Sequence, residues 1–361
     1  MRESTMSDTR DLNFENSACP LPLAHKDKIV MSHGSGGSMT RDLIASIFHK
    51  YFHNPILDRG NDFADFQPPA GRKLVVATDG HIVSPIFFPG GDIGRLAVSG
   101  TVNDIAMSGG QPVYLTASFI LEEGFSIADL EKVAVSMAAA AAEAGVQIIA
   151  GDTKVAEKGK ADGIFISTTG IGFADAGLQI GGEFAQPGDA VLVSGTMGDH
   201  GIAVLAARNQ LGFTTAIQSD IAPLNHLIQA ALQAAPEIHV LRDPTRGGLA
   251  TTLNEIACQS QVNILLEETA IPVQREVRAA CEMLGFDPLY VANEGKVIVI
   301  LPASQAEAAL AALRNHPRGS QAAIIGKVTE RSSSPRVSMH TLIGGTRIVD
   351  MLSGEMLPRI C

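Results

Sequence analysis

Short apolar runs that end on an acid recur through the first half of this chain, and they limit what it can fold into. Residues 74–77 (Leu-Val-Val-Ala) lead into Thr78-Asp79-Gly80, and residues 146–150 (Val-Gln-Ile-Ile-Ala) lead into Gly151-Asp152-Thr153-Lys154. Between them the otherwise apolar stretch Val102 to Met107 sets Asn103 and Asp104 side by side. Apolar runs of this length, bounded by glycine, read as buried strands, and an acid at a strand end is where layered α/β proteins place ligands. Further strands are expected at residues 73–77, 112–121 and 164–172. A helix is expected over 127–144, opened by Ser126 with Asp129 in its first turn and closed by Gly145. The stretch 174–189, rich in glycine and ending on Pro187-Gly188, breaks the pattern.

The second half starts again with a strand over 190–194. Helices near 201–208, 248–259, 273–284 and 303–315 then alternate with strands near 262–266, 297–301, 322–327 and 345–350. A chain of 361 residues, 45% of them hydrophobic, has apolar material for two cores. The expected fold is mixed α+β (α/β) in two domains. The expected layout is a disordered leader over 1–28, a first domain over 29–174, a second over 175–350 and a mobile tail over 351–361.

A formal charge of -11 without a basic block argues against nucleic-acid and anionic-membrane surfaces. An anionic ligand would instead need Mg²⁺ and backbone N–H groups. Cys19, Cys258, Cys281 and Cys361 form no C-x-x-C pair and no zinc spacing, so free thiols in a reducing cytoplasm are expected. The most apolar window, 133–150, is mostly alanine and carries Glu143, which reads as a packed helix and strand and not as a membrane span.

Taken singly, each acid has a plain structural reading: Asp79 as a β-turn residue, Asp104 beside the N-cap of a buried helix. Three in one domain fit Mg²⁺ shared with phosphates, because the ion keeps waters and seldom takes a full protein cage. Asp79, Asp104 and Asp152 are the candidate ligands. Lys154 could neutralise phosphate or act as a base. The loop Ser32-His33-Gly34-Ser35-Gly36-Gly37 could cover phosphates with backbone N–H groups, although it lacks the P-loop ending. Asp243-Pro244-Thr245-Arg246-Gly247-Gly248 opens a helix and suits phosphate, and Glu294 in Asn293-Glu294-Gly295 is a candidate base.

These segments, with the ending Pro358-Arg359-Ile360-Cys361, resemble in order the hydrogenase maturation factor HypE family. That family lies within the aminoimidazole ribonucleotide synthetase-like superfamily, whose members share the acidic motifs. The terminal Pro-Arg-Ile-Cys is the specific part of the likeness. The resemblance implies a two-domain homodimer that binds ATP and Mg²⁺ near Asp79, Asp104 and Asp152, with His33 to Gly37, Asn103, Thr245, Arg246 and Gly247 around the nucleotide. It implies that Cys361 receives a carbamoyl group from HypF, and that Lys154 and Glu294 handle protons in its ATP-dependent dehydration to a thiocyanate. Cyanide would then pass to the HypC–HypD complex. The rival expectations are a small-molecule kinase or synthetase of the same superfamily, or a non-enzymatic carrier on Cys361. The eleven residues from Met351 to Cys361 extend to at most roughly 36 Å, at about 3.3 Å each, enough to cross a domain face.

Overall fold

The structure, a computed structural model, describes residues 27–35, 38–59, 64–208 and 216–351. The leader to residue 26, Cys19, Gly36, Gly37 and the tail from residue 352 through Arg359 and Cys361 lie outside the described residues. Lys28, counted above with the leader, bridges Ser126, and the Ile127 N–H donates to the Asp27 carbonyl.

The fold is α+β in two domains. The first begins with a helical stretch: α1 (Ser38–Leu43), a π-helical segment (Ile44–His49) and α2 (Lys50–Phe52). Strand β1 (Arg72–His81) and a short ribbon, β2 (Phe87–Phe88) with β3 (Gly91–Asp92), precede α3 (Ile93–Ala106). Then come β4 (Gln111–Glu122), α4 (Ile127–Ala144), β5 (Gln147–Ala156) and β6 (Ile164–Asp175). The sheet order is β1-β6-β4-β5, antiparallel except for β4 and β5. Helix α4 matches its sequence signals: the Ser126 hydroxyl accepts from the Asp129 N–H, and Gly145 is the C-cap.

Helices α3 and α4 cover one face of the sheet. Val98, Val102, Leu115, Leu121, Val133 and Met137 meet in the core there. On the other face Leu74, Val76 and Ile120 are exposed.

Two expectations change here. Asn103 and Asp104 lie in the last turn of α3, not near an N-cap. The cap is Asp92, whose Oδ1 accepts from the Gly94 and Arg95 N–H groups. Helix α3 is buried almost all round and rich in Gly, Ala and Ser, so it shows no polar stripe for a periodicity argument to find. Asp79 and Asp152 are not at strand ends either. The β1 ladder runs on through Asp79↔Thr168 and Gly80↔Ser167, and the β5 ladder through Ser118↔Asp152 and Ile120↔Lys154.

The second domain has β7 (Asp189–Val193), α5 (Asp199–Ala207), α6 (Asn225–Ala234), β8 (Val240–Arg242), α7 (Gly248–Ser260) and β9 (Val262–Glu267). It continues with α8 (Arg275–Leu284), β10 (Ile298–Pro302), α9 (Ala306–Asn315), β11 (Ala323–Arg331), β12 (Val337–His340) and β13 (Thr346–Ile348). Its sheet order is β13-β12-β9-β11-β7-β10-β8. Helix α7 packs on one side with Leu249, Leu253 and Ile256; α6 and α9 pack on the other with Leu227, Ile228 and Leu313. The sequence reading missed α6, β8 and β12, each short or nearly featureless in pattern. No helix among the described residues is long and apolar enough to cross a membrane.

Candidate functional site: an acid-lined cleft between the domains

Strand β1 and helix α3 meet loops of the second domain around a cleft of ≈ 260 Å³ lined by Asp79, His81, Gly100, Asp104, Asp243, Thr245, Arg246 and Glu294, with Thr78 and Gly80. It adjoins a wider trough of ≈ 520 Å³ that shares Asp104, Asp243, Thr245 and Arg246 and adds Arg242, Thr252 and Glu255. The loops hold together through Asn293. Its Nδ2 donates to the Pro244 carbonyl at 3.0 Å, and its Oδ1 accepts from the Gly198 N–H at 2.7 Å.

Four carboxylates thus face one space without a lysine among them. Burial pushes Asp104 up to about 7, helped by Asp243 and Asp79 and opposed by Arg242. Burial also raises Asp243. Glu294 stands well above the usual carboxylate range, first through burial and then through Asp243, Asp220, Asp79 and Asp104. Arg242 is already committed, with its Nη2 2.6 Å from Glu255 Oε2, and Arg246 is exposed. Acids whose pKa is raised by burial and then by one another are what a cation would relieve. Among the described residues no three His, Cys, Asp or Glu side chains form a ready cage. The donor set therefore fits a hard cation that takes a few carboxylate oxygens and completes its shell with water or phosphate.

His81 lies under this surface. Its Nε2 is 3.9 Å from Asp79 Oδ2 and 3.1 Å from Thr168 Oγ1. The Thr168 hydroxyl is also within reach of the Ala97 carbonyl at 3.0 Å and of Thr101 Oγ1 at 2.6 Å. Burial lowers the ring's pKa, against the pull of Asp79, and favours neutral imidazole. Neither His81 nor Asp243 was singled out from the sequence. Asp243 stood in the motif read for Thr245 and Arg246 and could have been found there. His81 gave no signal beyond following Asp79-Gly80.

The remaining candidates are distributed differently. Asn103, expected beside the nucleotide, is 1% exposed. Its Nδ2 donates to the Ala222 carbonyl at 3.1 Å and reaches the Glu294 carbonyl at 3.4 Å, and its Oδ1 accepts from the Leu224 N–H at 2.8 Å. It fastens α3 to the second domain, and both ends of its amide are used in doing so. Thr245 and Arg246 line the cleft, and Gly247 is the residue before α7.

Asp152 and Lys154 are elsewhere. Asp79 belongs to the sheet face covered by α3, where a Cβ on Gly100 would stand 3.7 Å from its Oδ2. Asp152 belongs to the opposite face, in the row Gly80–Ser167–Ser118–Asp152. Three strand gaps separate β1 from β5, about 14 Å at ~4.8 Å each. Lys154 Nζ pairs with Asp152 at 2.8 Å, and Lys154 and burial act oppositely on Asp152, with Lys154 prevailing and its pKa lowered.

The described part of the glycine-rich loop lies on this same edge. A Cβ on Gly34 would stand 2.6 Å from the Val155 nitrogen, so only glycine lets the loop settle against β5. His33 is buried, and its Nδ1 accepts from the Val30 N–H at 3.0 Å, closing its own turn. Beside them an apolar pocket of ≈ 130 Å³ opens between the first helical stretch and β4–β5, lined by Thr40, Ile44, Phe48, Phe119, Ile148, Asp152 and others. One chain therefore carries two separate groups of candidate residues. Asp79, Asp104 and Glu294 are brought together; Asp152 and Lys154 stand apart from them.

Comparison with known proteins places this geometry in context. The AIR synthase related protein N-terminal domain matches residues 60–174, and the corresponding C-terminal domain matches residues 186–337. The carbamoyl dehydratase HypE of Cupriavidus necator is 56% identical over 357 residues, 99% of this chain and all of that protein. That of Azotobacter vinelandii is 57% identical over 333 residues, 92% of this chain and 97% of the relative. A crystal structure of the hydrogenase maturation protein HypE in complex with ATP superposes with a TM-score of 0.88 at 51% identity, covering 92% of this chain and 99% of its own. A HypE–HypF complex superposes at 0.75 and 48% identity, covering 88% of this chain and all of the matched one.

Proposed function

Because the chain belongs to the carbamoyl dehydratase HypE family, among the AIR synthase related proteins, and is thereby an enzyme of hydrogenase maturation that uses ATP, we propose that its substrate is the S-carbamoyl group on its own Cys361. The cleft carries the reading: acids that no lysine among the described residues balances, between two domains of the chain that also carries the Cys361 thiol. An amide oxygen leaves poorly, so the carbamoyl oxygen attacks the γ-phosphorus of ATP, ADP departs, and the oxygen becomes part of a phosphate ester. A base then takes the remaining nitrogen protons as the C–O bond breaks, releasing phosphate and leaving S–C≡N. Water is lost in sum, at the cost of one ATP.

Asp79 and Asp104 would hold Mg²⁺, which neutralises phosphoryl charge when bound; Asp152, on the opposite sheet face, would join them only from the second copy of a homodimer. Glu294 is buried and stands above its usual range. That suits a carboxylate that takes up protons more readily than a free one, and its place in the cleft beside Asp104 suits the nitrogen protons. Lys154 is the second proton-handling candidate. It sits with Asp152 on the exposed sheet face, where it can serve a second copy's cleft in a homodimer joined over Leu74, Val76 and Ile120. The glycine-rich loop from Ser32 through Gly37 would cover phosphates, and the apolar pocket beside Asp152 would take the purine ring. HypF as carbamoyl donor and the HypC–HypD complex as cyanide acceptor complete the cycle, in the cytoplasm.

Two measurements test this. Protein incubated with HypF, carbamoyl phosphate and ATP should give a C-terminal peptide that gains a carbamoyl mass and then loses water. The loss should stop with a non-hydrolysable ATP analogue and in Cys361→Ala; water loss with the analogue would overturn ATP's role. Mixed dimers of Lys154→Ala with Glu294→Ala should recover activity that neither homodimer has, and failure to complement would overturn the shared site.

A further inference from the structure

We propose that Asp220 is a positioning residue for Glu294, and that the segment bearing it is a strap that keeps both halves of the cleft in one register. The inference rests on the reading of Glu294 given above. Residues 219–225 are held almost one by one by the first domain. The Ser219 N–H donates to the Pro89 carbonyl at 2.8 Å, Arg95 Nε donates to the Ile221 carbonyl at 3.2 Å, and Asn103 takes Ala222 and Leu224. Asn225 Nδ2 closes the strap on the Ala144 carbonyl at 2.9 Å.

In the middle of this strap the Asp220 carboxylate turns the other way, into the second domain. Its Oδ1 accepts from the Glu294 N–H at 3.1 Å, and its Oδ2 accepts from Lys296 Nζ at 3.0 Å. The Glu294 peptide is thereby gripped at both ends, its N–H by Asp220 and its carbonyl by Asn103, the neighbour of Asp104. Contact continues at the next residue: a Cβ on Gly295 would stand 1.8 Å from the Asp220 carbonyl oxygen, so no larger residue fits while the loops keep this approach. Burial acts to raise Asp220, and Lys296, His200 and the Glu294 N–H outweigh it, leaving its pKa lowered. It is a fixed anion and not a proton carrier. Misplacing a reacting group by about 1 Å can cost on the order of a hundredfold in rate, and Asp220 is the contact that sets the Glu294 backbone against the cleft.

The test uses full-length protein carbamoylated on Cys361, with single-turnover water loss followed by mass spectrometry in Asp220→Ala, Glu294→Gln and the double variant. Asp220→Ala should slow water loss by about a hundredfold while the ATP dissociation constant stays within about threefold. In the Glu294→Gln background it should add less than about twofold, because residues acting as a unit are not additive. Asp220→Asn, which keeps an acceptor oxygen for the Glu294 N–H, should recover most of the rate. If the alanine variant does not fold, Gly295→Ala, which forces the same peptide off Asp220 without changing a charge, takes its place in the cycle. A wild-type rate in Asp220→Ala, full additivity, or an asparagine variant as slow as alanine would each overturn the proposal while Glu294→Gln stays slow. A wild-type rate in Glu294→Gln itself would overturn the role of Glu294 and, with it, the positioning role.

Discussion

Two groups of acids lie within a loop of each other and are balanced in opposite ways. Asp199 and Asp220 share Lys296, whose Nζ is 3.8 Å from the first and 3.0 Å from the second. Among the described residues no lysine lines the cleft of Asp79, Asp104, Asp243 and Glu294, and Arg242, which acts on Asp104 and Asp243, is already taken by Glu255. In the first group the counter-ion lies inside the chain: Lys296 holds Asp220 low and works against the burial that still raises Asp199, which suits a fixed support. In the second it is left open, and burial together with neighbouring acids raises the pKa of Asp104, Asp243 and Glu294. Burial alone does not tell a structural acid from a functional one; the presence of an internal counter-ion does.

The largest effect should come from breaking the balanced group. Lys296→Met leaves two buried carboxylates without their cation and should destabilise the protein by about 3–5 kcal/mol, read by denaturant titration. A loss under about 1 kcal/mol would mean the group is not held by its lysine. The unbalanced group should respond the other way. Asp104 binds its proton more tightly folded than unfolded, so it costs stability as pH rises from about 4, its unfolded value, through about 7. Asp104→Asn should therefore raise the Tm of metal-free protein at pH 8 by roughly 5 °C, should leave it nearly unchanged at pH 4, and should abolish dehydration.

Supplying the missing charge should achieve the same relief. At a hundred times its dissociation constant, Mg²⁺ should stabilise wild type by about 2.7 kcal/mol, with a clearly smaller shift in Asp104→Asn. The smallest effect on stability belongs to the exposed pair on β5. Asp152→Asn should change stability by no more than about 0.5 kcal/mol while slowing dehydration at least about tenfold. An equal loss of stability and rate would make Asp152 a structural residue.

The sequence announced the outer parts of this arrangement better than its centre. Helix α4 was legible to the residue because an amphipathic run had a serine at one end and a glycine at the other. The acids Asp79, Asp104 and Asp152 and the loop at Asp243 were visible as polar residues interrupting apolar runs. Their grouping was not, because it depends on which sheet face each acid occupies. Asp79 and Asp152 look equivalent in sequence, yet they fall in adjacent cross-strand rows and so on opposite faces. Helix α3 hid its own extent by being small and apolar on every side. Asp220 sits in an irregular loop whose partners, Glu294 and Lys296, are more than seventy positions away, and no local pattern encodes such a contact.

The last described strand has a consequence for kinetics. After β13 the chain is pinned where Asn254 Nδ2 donates to the Val349 carbonyl at 2.8 Å and the Tyr290 hydroxyl donates to the Asp350 carbonyl at 2.8 Å. Asn254 lies on α7, the helix whose Thr252 and Glu255 line the trough. On the proposed reading Cys361, eleven residues past Asp350, would meet the cleft at an effective concentration on the order of millimolar, whatever the number of molecules in the cell. Its encounter would then be first order, dilution would not slow it, and no free substrate could be depleted. Selection would then act on tether length and release, and hardly at all on affinity.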